Sequence, residues 1–185
     1  MRTGHFLIAA VSGLLFTLAF RLNQVFDTYF VYSAGISLLF IPAGVKLLLL
    51  LLGRMPAYIG LLVSGIYLGW GIWPEKTLLP IFLFAFIGLS NYAFVAFGLM
   101  KWLNIRRNLK NLRYWHIVLL SAVASVFNGV VHNLIYITQD VTLTEEFWRK
   151  SFAMTLGDFM GCFVTVGLFH SAVQLLRPQK ISVMR

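Results

Sequence analysis

Three polar side chains that could act together lie in segments that are otherwise apolar. Asp158 is in "TLGDFMG", and Asn128 and His132 are in "FNGVVHN". An ionisable side chain deep in an apolar segment is energetically costly, so it is a candidate functional site. A carboxyl group near an imidazole could transfer protons, and together with an amide it could bind a polar ligand.

Polar residues recur at helical spacing around all three side chains. One set is Ser151, Thr155, Asp158, Cys162 and Thr165, and the other is Ser121, Ser125, Asn128 and His132. Spacings of three and four place each set on one face of a helix. Two helices that follow each other across a bilayer are antiparallel, and one register places Asn128 opposite Asp158. The alternative is that these polar faces only hold two helices together.

Two further polar residues are candidates for the same cluster. Asn91 lies about 18 Å inward from the outer end of its segment, at about 1.5 Å per residue. Lys46 lies in "IPAGVKLLLLLLGRMPAYIG". Its long side chain is expected to extend to the lipid head groups. The alternative is an inward Lys46 that interacts with Asp158, directly or through a bound ligand.

Pro42 lies in the same apolar segment, four residues before Lys46. A proline inside a helix removes a backbone hydrogen bond, so we predict a kink near mid-membrane. Opened backbone is tolerated there only where protein or a cavity surrounds it. Such a kink could offer carbonyl groups to an internal site, or it could have no ligand at all.

The composition indicates the class of protein that positions these residues. Hydrophobic residues make up 59% of the 185 residues and charged residues 11%, against roughly 25% charged in soluble domains. Apolar runs of about 20 residues favour spanning helices over barrel strands of about 10. We predict an all-α integral membrane protein, one domain over residues 1–185, with about six spans. They are 5–20, 29–52, 56–73, 78–102, 115–138 and 151–176.

The positions of lysine and arginine predict the orientation. The connection after the fourth span carries a basic surface of Arg106, Arg107, Lys110 and Arg113, and the C-terminal tail is also basic. Cytoplasmic segments carry such an excess, so both termini are predicted to be cytoplasmic. The net charge of +9 is then explained by topology and anionic lipid, and no nucleic acid is expected as a partner. An interfacial aromatic belt is predicted from Trp70, Trp73, Trp102, Trp115 and Trp148.

Small residues predict close contacts between helices. Gly65 and Gly69 are four residues apart, as are Gly157 and Gly161. This spacing lets a neighbouring backbone approach closely.

The patterns of common catalytic sites are missing from the sequence. There is no glycine-rich phosphate loop, no spaced Cys/His metal set and no Gly-x-Ser-x-Gly turn. A metal site at His132, Asp158 and Cys162 is not expected, because the sequence demonstrates no geometry that would bring the three to one ion. We expect a protein that is not an enzyme, and the sequence leaves the identity of any cofactor unknown.

Two segments resemble the bacterial membrane-associated sensor domain of the first type. "FIPAGVKLLLLLLGRMPAYIG" is similar to its aromatic-x-Pro-x-Gly helix and the Gly-Arg turn that follows. "LGDFMGCFVTVGL" is similar to its Gly-Asp-x-x-Gly helix. The resemblance implies a sensor module in a bacterial inner membrane, although family members usually have about eight spans and a fused output domain.

Three hypotheses follow. The first is a sensor-like membrane module that binds a small ligand and influences a partner protein in the membrane or the cytoplasm. The second is the substrate-binding subunit of a vitamin-type importer, whose docking pattern of small residues is only weakly represented by Ala9 and Gly13. The third is a structural subunit of a larger membrane complex.

Overall fold

The computed structural model describes residues 2–33, 35–106, 109–139 and 143–176. Its long helices are α1 (Arg2–Phe30), α2 (Ile41–Ile72), α3 (Leu78–Trp102), α4 (Tyr114–Thr138) and α5 (Phe147–Leu176). Two short antiparallel strands, β1 (Val31–Ser33) and β2 (Ile36–Ser37), connect α1 to α2, and a 3-10 turn (Thr144–Glu146) precedes α5. Within these ranges five helices are long and apolar enough to cross a membrane.

Helix α2 is interrupted at Arg54, whose φ of 52° and ψ of −133° are not helical. Contacts with α1 show that the chain reverses there. The N–H of Ile41 donates to Asn23 Oδ1 (2.8 Å), near the end of α1. Gly53 packs near the start of α1, and Ser64 then lies beside Thr17, with 2.6 Å between the hydroxyl oxygens. The first arm (41–53) therefore runs antiparallel to α1, and the second arm (55–72) runs parallel to it.

In the predicted second span, 29–52, helix α2 begins only at Ile41. Before Ile41 the described residues include β1 and β2, which pair with each other instead of continuing a helix. The backbone N–H groups at the end of this segment have partners within the protein. Leu38 donates to the carbonyl of Phe30 (2.8 Å) and Phe40 to that of Gly157 (3.0 Å). Irregular backbone is stable inside a bundle when its polar groups are bonded in this way.

The kink predicted at Pro42 is not found. Pro42 lies in the first turn of α2, two residues after the N-cap residue Phe40. The N–H groups of a first turn have no partner inside the helix, so a proline costs nothing there and its fixed φ suits the helix start. Pro42 begins a helix, and the sharp break is at Arg54.

The glycine pairs lie at close backbone contacts. A Cβ atom on Gly157 would overlap the carbonyl of Ser37, and one on Gly161 would overlap that of Phe40. Gly44 also packs against α5, since a Cβ atom there would lie 2.6 Å from the carbonyl oxygen of Gly161. The two segments that resemble the sensor domain, more than 100 residues apart in the chain, therefore pack directly against each other.

Gly65 and Gly69 form a second close contact. They lie against Ala85 and Ile81: a Cβ atom on Gly65 would be 3.3 Å from the Ala85 side chain, and one on Gly69 would be 2.9 Å from that of Ile81. This contact joins the second arm of α2 to α3 in antiparallel orientation.

Candidate functional site

All five helices and both strands enclose a cavity of about 260 Å³. One end, the mouth, is formed by the exposed Gln24, the half-buried Asp27 and the strand residue Val31. The opposite, deep end is formed by the buried Lys46 and Asp158. Beyond them apolar side chains fill the bundle, among them Leu50, Ala96, Met100, Leu120 and Ala124. The cavity therefore extends from the mouth into the interior of the bundle.

Three of the polar residues singled out in the sequence form a chain at the deep end. Asn128 Nδ2 donates to Asp158 Oδ2 (2.7 Å), and Asn91 Nδ2 donates to Asn128 Oδ1 (3.4 Å). All three residues are buried. They come from α3, α4 and α5, so the antiparallel packing of consecutive helices brings them together.

Lys46 faces the cavity, which corrects the expectation that it reaches the lipid head groups. Its side chain is buried, and Nζ lies 4.4 Å from the ring centroid of Tyr92 and 5.7 Å from that of Phe40. Aromatic faces attract a cation and replace part of its hydration. The ammonium group is therefore held inside the bundle.

Lys46 and Asp158 line the same cavity without contacting each other. Among the described residues, the ion pairs within 4.0 Å are those of Glu146 with Arg149 and Lys150. Both opposite charges are therefore free to interact with a molecule in the cavity.

His132 lies in the cavity wall one turn from Asn128. Neither ring nitrogen has a hydrogen-bond partner in the described part of the chain. The ring stacks on Phe84, with centroids 6.1 Å apart, and packs edge-on against Tyr136 at 4.7 Å. Gly88 leaves room for the ring, because a Cβ atom there would lie 2.8 Å from His132 Cε1. The predicted proximity of His132 to Asp158 takes the form of a shared cavity rather than a hydrogen bond.

Aromatic residues that the sequence analysis did not assign to the site form the part of the wall near the mouth. Trp73, Phe84 and Tyr136 pack with centroid distances of 4.9 to 6.1 Å. Gly35, at φ +74°, fits against Tyr136 and Trp73. Trp73 was assigned to the interfacial belt, but it lines the cavity, whereas Trp70, Trp102, Trp115 and Trp148 are exposed. A tryptophan that lines the cavity and one that faces the membrane interface both lie at the end of a span, so the sequence has no signal that distinguishes the two roles.

Tyr92 is a further residue of the site that the sequence analysis missed. It is fully buried, and its ring lies under the ammonium of Lys46. Its only signal in the sequence is its place directly after Asn91.

The basic surface lies away from the cavity. Arg106, Lys110 and Arg113 are exposed on the connection that follows the C-terminal end of α3, whereas the cavity is lined by the first half of α3. Arg107 and the tail residues 177–185 lie outside the described residues. The basic surface and the mouth are therefore at opposite ends of the bundle.

Comparison with known proteins assigns no family. No family model matches the chain, and neither a curated protein nor a solved structure matches it significantly. Within the described ranges, no three His, Cys, Asp or Glu side chains form a group that could hold a metal ion. The arguments for function therefore rest on the cavity.

Proposed function

We propose that this protein is a non-enzymatic membrane module that binds a small organic molecule inside its helix bundle. The observation that carries the proposal is the cavity of about 260 Å³ that leads from the mouth to Lys46 and Asp158. Ligand sites are typically concave and mostly apolar, with a few polar groups that orient the ligand. This cavity has that character.

The membrane topology we propose has six crossings and both termini in the cytoplasm of a bacterium. The reversal at Arg54 supports it, because the two arms of α2 run in opposite directions along α1. The first arm is about 20 Å long at 1.5 Å per residue, so residues 31–40 complete its crossing. The basic connection that carries Arg106 and Arg113 is assigned to the cytoplasm. The mouth then faces outward.

A sensor-like role fits this arrangement. A ligand would enter from outside, and the exposed basic connection at the opposite end would contact a partner protein in the cytoplasm. The contact between Gly44 and Gly161 joins the segments that resemble the sensor domain beside the deep end of the cavity.

The second candidate is the substrate-binding subunit of a small-molecule importer, and the same cavity favours it. One observation weighs against docking through the small residues of α1. Ala9 and Gly13 pack against Gly60 inside the chain, so this surface is already occupied. A purely structural subunit would have no need for the cavity.

The proposal is tested by purifying the protein in mild detergent and identifying bound molecules by native mass spectrometry. We expect a small molecule that is retained by the wild type and lost in Asp158→Asn, which removes the charge and keeps the shape. Glu145→Gln is the matched control, because Glu145 is exposed and outside the cavity. A protein partner in fixed stoichiometry, with an empty cavity, would contradict the proposal and favour the structural subunit.

A further inference from the structure

Two unpaired opposite charges define the deep end of the cavity. Lys46 Nζ has aromatic neighbours but no carboxylate within 4.0 Å among the described residues, and Asp158 Oδ2 accepts from the amide of Asn128. Burying a charge is costly unless an opposite charge or a hydrogen bond compensates it. The direct pair is not formed, so neither group has an opposite charge in contact with it among the described residues.

The charges of Lys46 and Asp158 sum to zero, which constrains the ligand. A ligand with a single charge would pair one group and leave a net charge within the bilayer, where the cost is high. A ligand that carries both a carboxylate and an ammonium group pairs both and keeps the sum at zero. Its carboxylate would contact Lys46, and its ammonium group would contact Asp158.

The rest of the cavity indicates the body of the ligand. Tyr136 lies eight residues beyond Asn128 on α4, which is about 12 Å along the axis. Around it Trp73, Phe84 and His132 present ring faces and edges. Planar rings pack favourably in such a setting. The volume of about 260 Å³ is below the roughly 300–1,000 Å³ typical of sites for drug-sized molecules.

We infer that the ligand is an aromatic amino acid or a closely similar zwitterion, bound with its charged groups between Lys46 and Asp158 and its ring among Trp73, Phe84 and Tyr136. The inference rests on the proposed function and adds the chemical class of the ligand.

The test compares L-tryptophan with two truncated analogues on the purified protein. Tryptamine lacks the carboxylate, and indole-3-propionate lacks the ammonium group. We expect each analogue to bind about thirtyfold more weakly than L-tryptophan or worse, because each leaves one buried charge unpaired. Competition against radiolabelled L-tryptophan measures the ratios, and L-phenylalanine and L-tyrosine extend the series.

Variants assign each charged group of the ligand to its partner. Lys46→Met should remove the preference for L-tryptophan over tryptamine and keep that over indole-3-propionate. Asp158→Asn should remove the preference for L-tryptophan over indole-3-propionate and keep the preference over tryptamine. Lys101→Met, an exposed lysine at the far end of α3, is the control and should change neither ratio. Size-exclusion chromatography verifies that each variant is folded.

Two results would overturn the inference and leave the proposed function intact. One is equal or tighter binding of either analogue, and the other is failure of all three amino acids to bind while the native protein carries a different molecule. If none of the three amino acids binds and the native protein carries no small molecule, both this inference and the proposed function are overturned.

Discussion

His132 illustrates how a single residue in the wall differs from an ordinary buried residue. Its two ring nitrogens have no partner in the described part of the chain, although the ring is tightly packed on Phe84 and Tyr136. A buried polar atom without a partner destabilises a protein. Such an atom persists most readily where a ligand supplies the missing hydrogen bond.

The residue-scale prediction concerns His132→Phe. Phenylalanine keeps the ring contacts and removes both unpartnered nitrogens, so the ligand-free protein should gain about 1–3 kcal/mol of stability. Thermal unfolding in detergent measures this gain as a higher midpoint. Asn128→Leu is the comparison and should lower the midpoint, because Asp158 loses its hydrogen-bond donor. A lower midpoint for His132→Phe would mean that its nitrogens have partners in solution.

At the scale of elements, the contact between α5 and the start of α2 positions the deep end of the cavity. Gly157 and Gly161 let the backbone from Ser37 to Ile41 lie directly on α5. Thr165 Oγ1 adds a hydrogen bond to the carbonyl of Ile41 (3.3 Å). Because Asp158 is on α5 and Lys46 on α2, this contact sets the distance between the two charges.

Gly161→Ala tests this contact. The added methyl group would overlap the carbonyl of Phe40, a backbone atom that cannot turn aside. Overpacking of this kind typically costs about 1–3 kcal/mol, so the thermal midpoint in detergent should fall. Gly167→Ala, on the same helix with open space around it, should leave the midpoint unchanged or slightly higher. Equal midpoints for the two variants would show that α5 does not depend on the close approach.

At the scale of the whole molecule, the reversal at Arg54 organises the bundle. It places the first arm of α2 against α5 and the second arm against α1 and α3. A straight α2 could not make both sets of contacts. The same reversal brings the Arg54 turn to the end of the bundle that carries the basic connection.

Cysteine labelling in intact cells tests the proposed topology. In a Cys162→Ala background, a cysteine at Glu75 should react with an impermeant maleimide, because Glu75 is exposed near the mouth. Cysteines at the exposed positions Met55 and Arg113 should react only after the cells are opened. Labelling of Met55→Cys from outside would contradict the six-crossing topology.

The sequence alone determined the membrane class and, to within one residue, the bounds of α3 and α4, because apolar runs of sufficient length have few other stable structures. It also predicted that Asn128 and Asp158 face each other, and the structure places them 2.7 Å apart. That prediction was possible because helical spacing and the antiparallel packing of consecutive helices are local rules.

Only the tertiary structure decided the direction of Lys46, the role of Pro42 and the aromatic wall around Trp73. These depend on contacts between elements far apart in the chain, such as α2 with α5. A lysine near the end of an apolar segment has the same position in the sequence whether its side chain points to lipid head groups or to a cavity. The difference arises from the rings of Tyr92 and Phe40 and from the break at Arg54, which hydrophobic periodicity does not record.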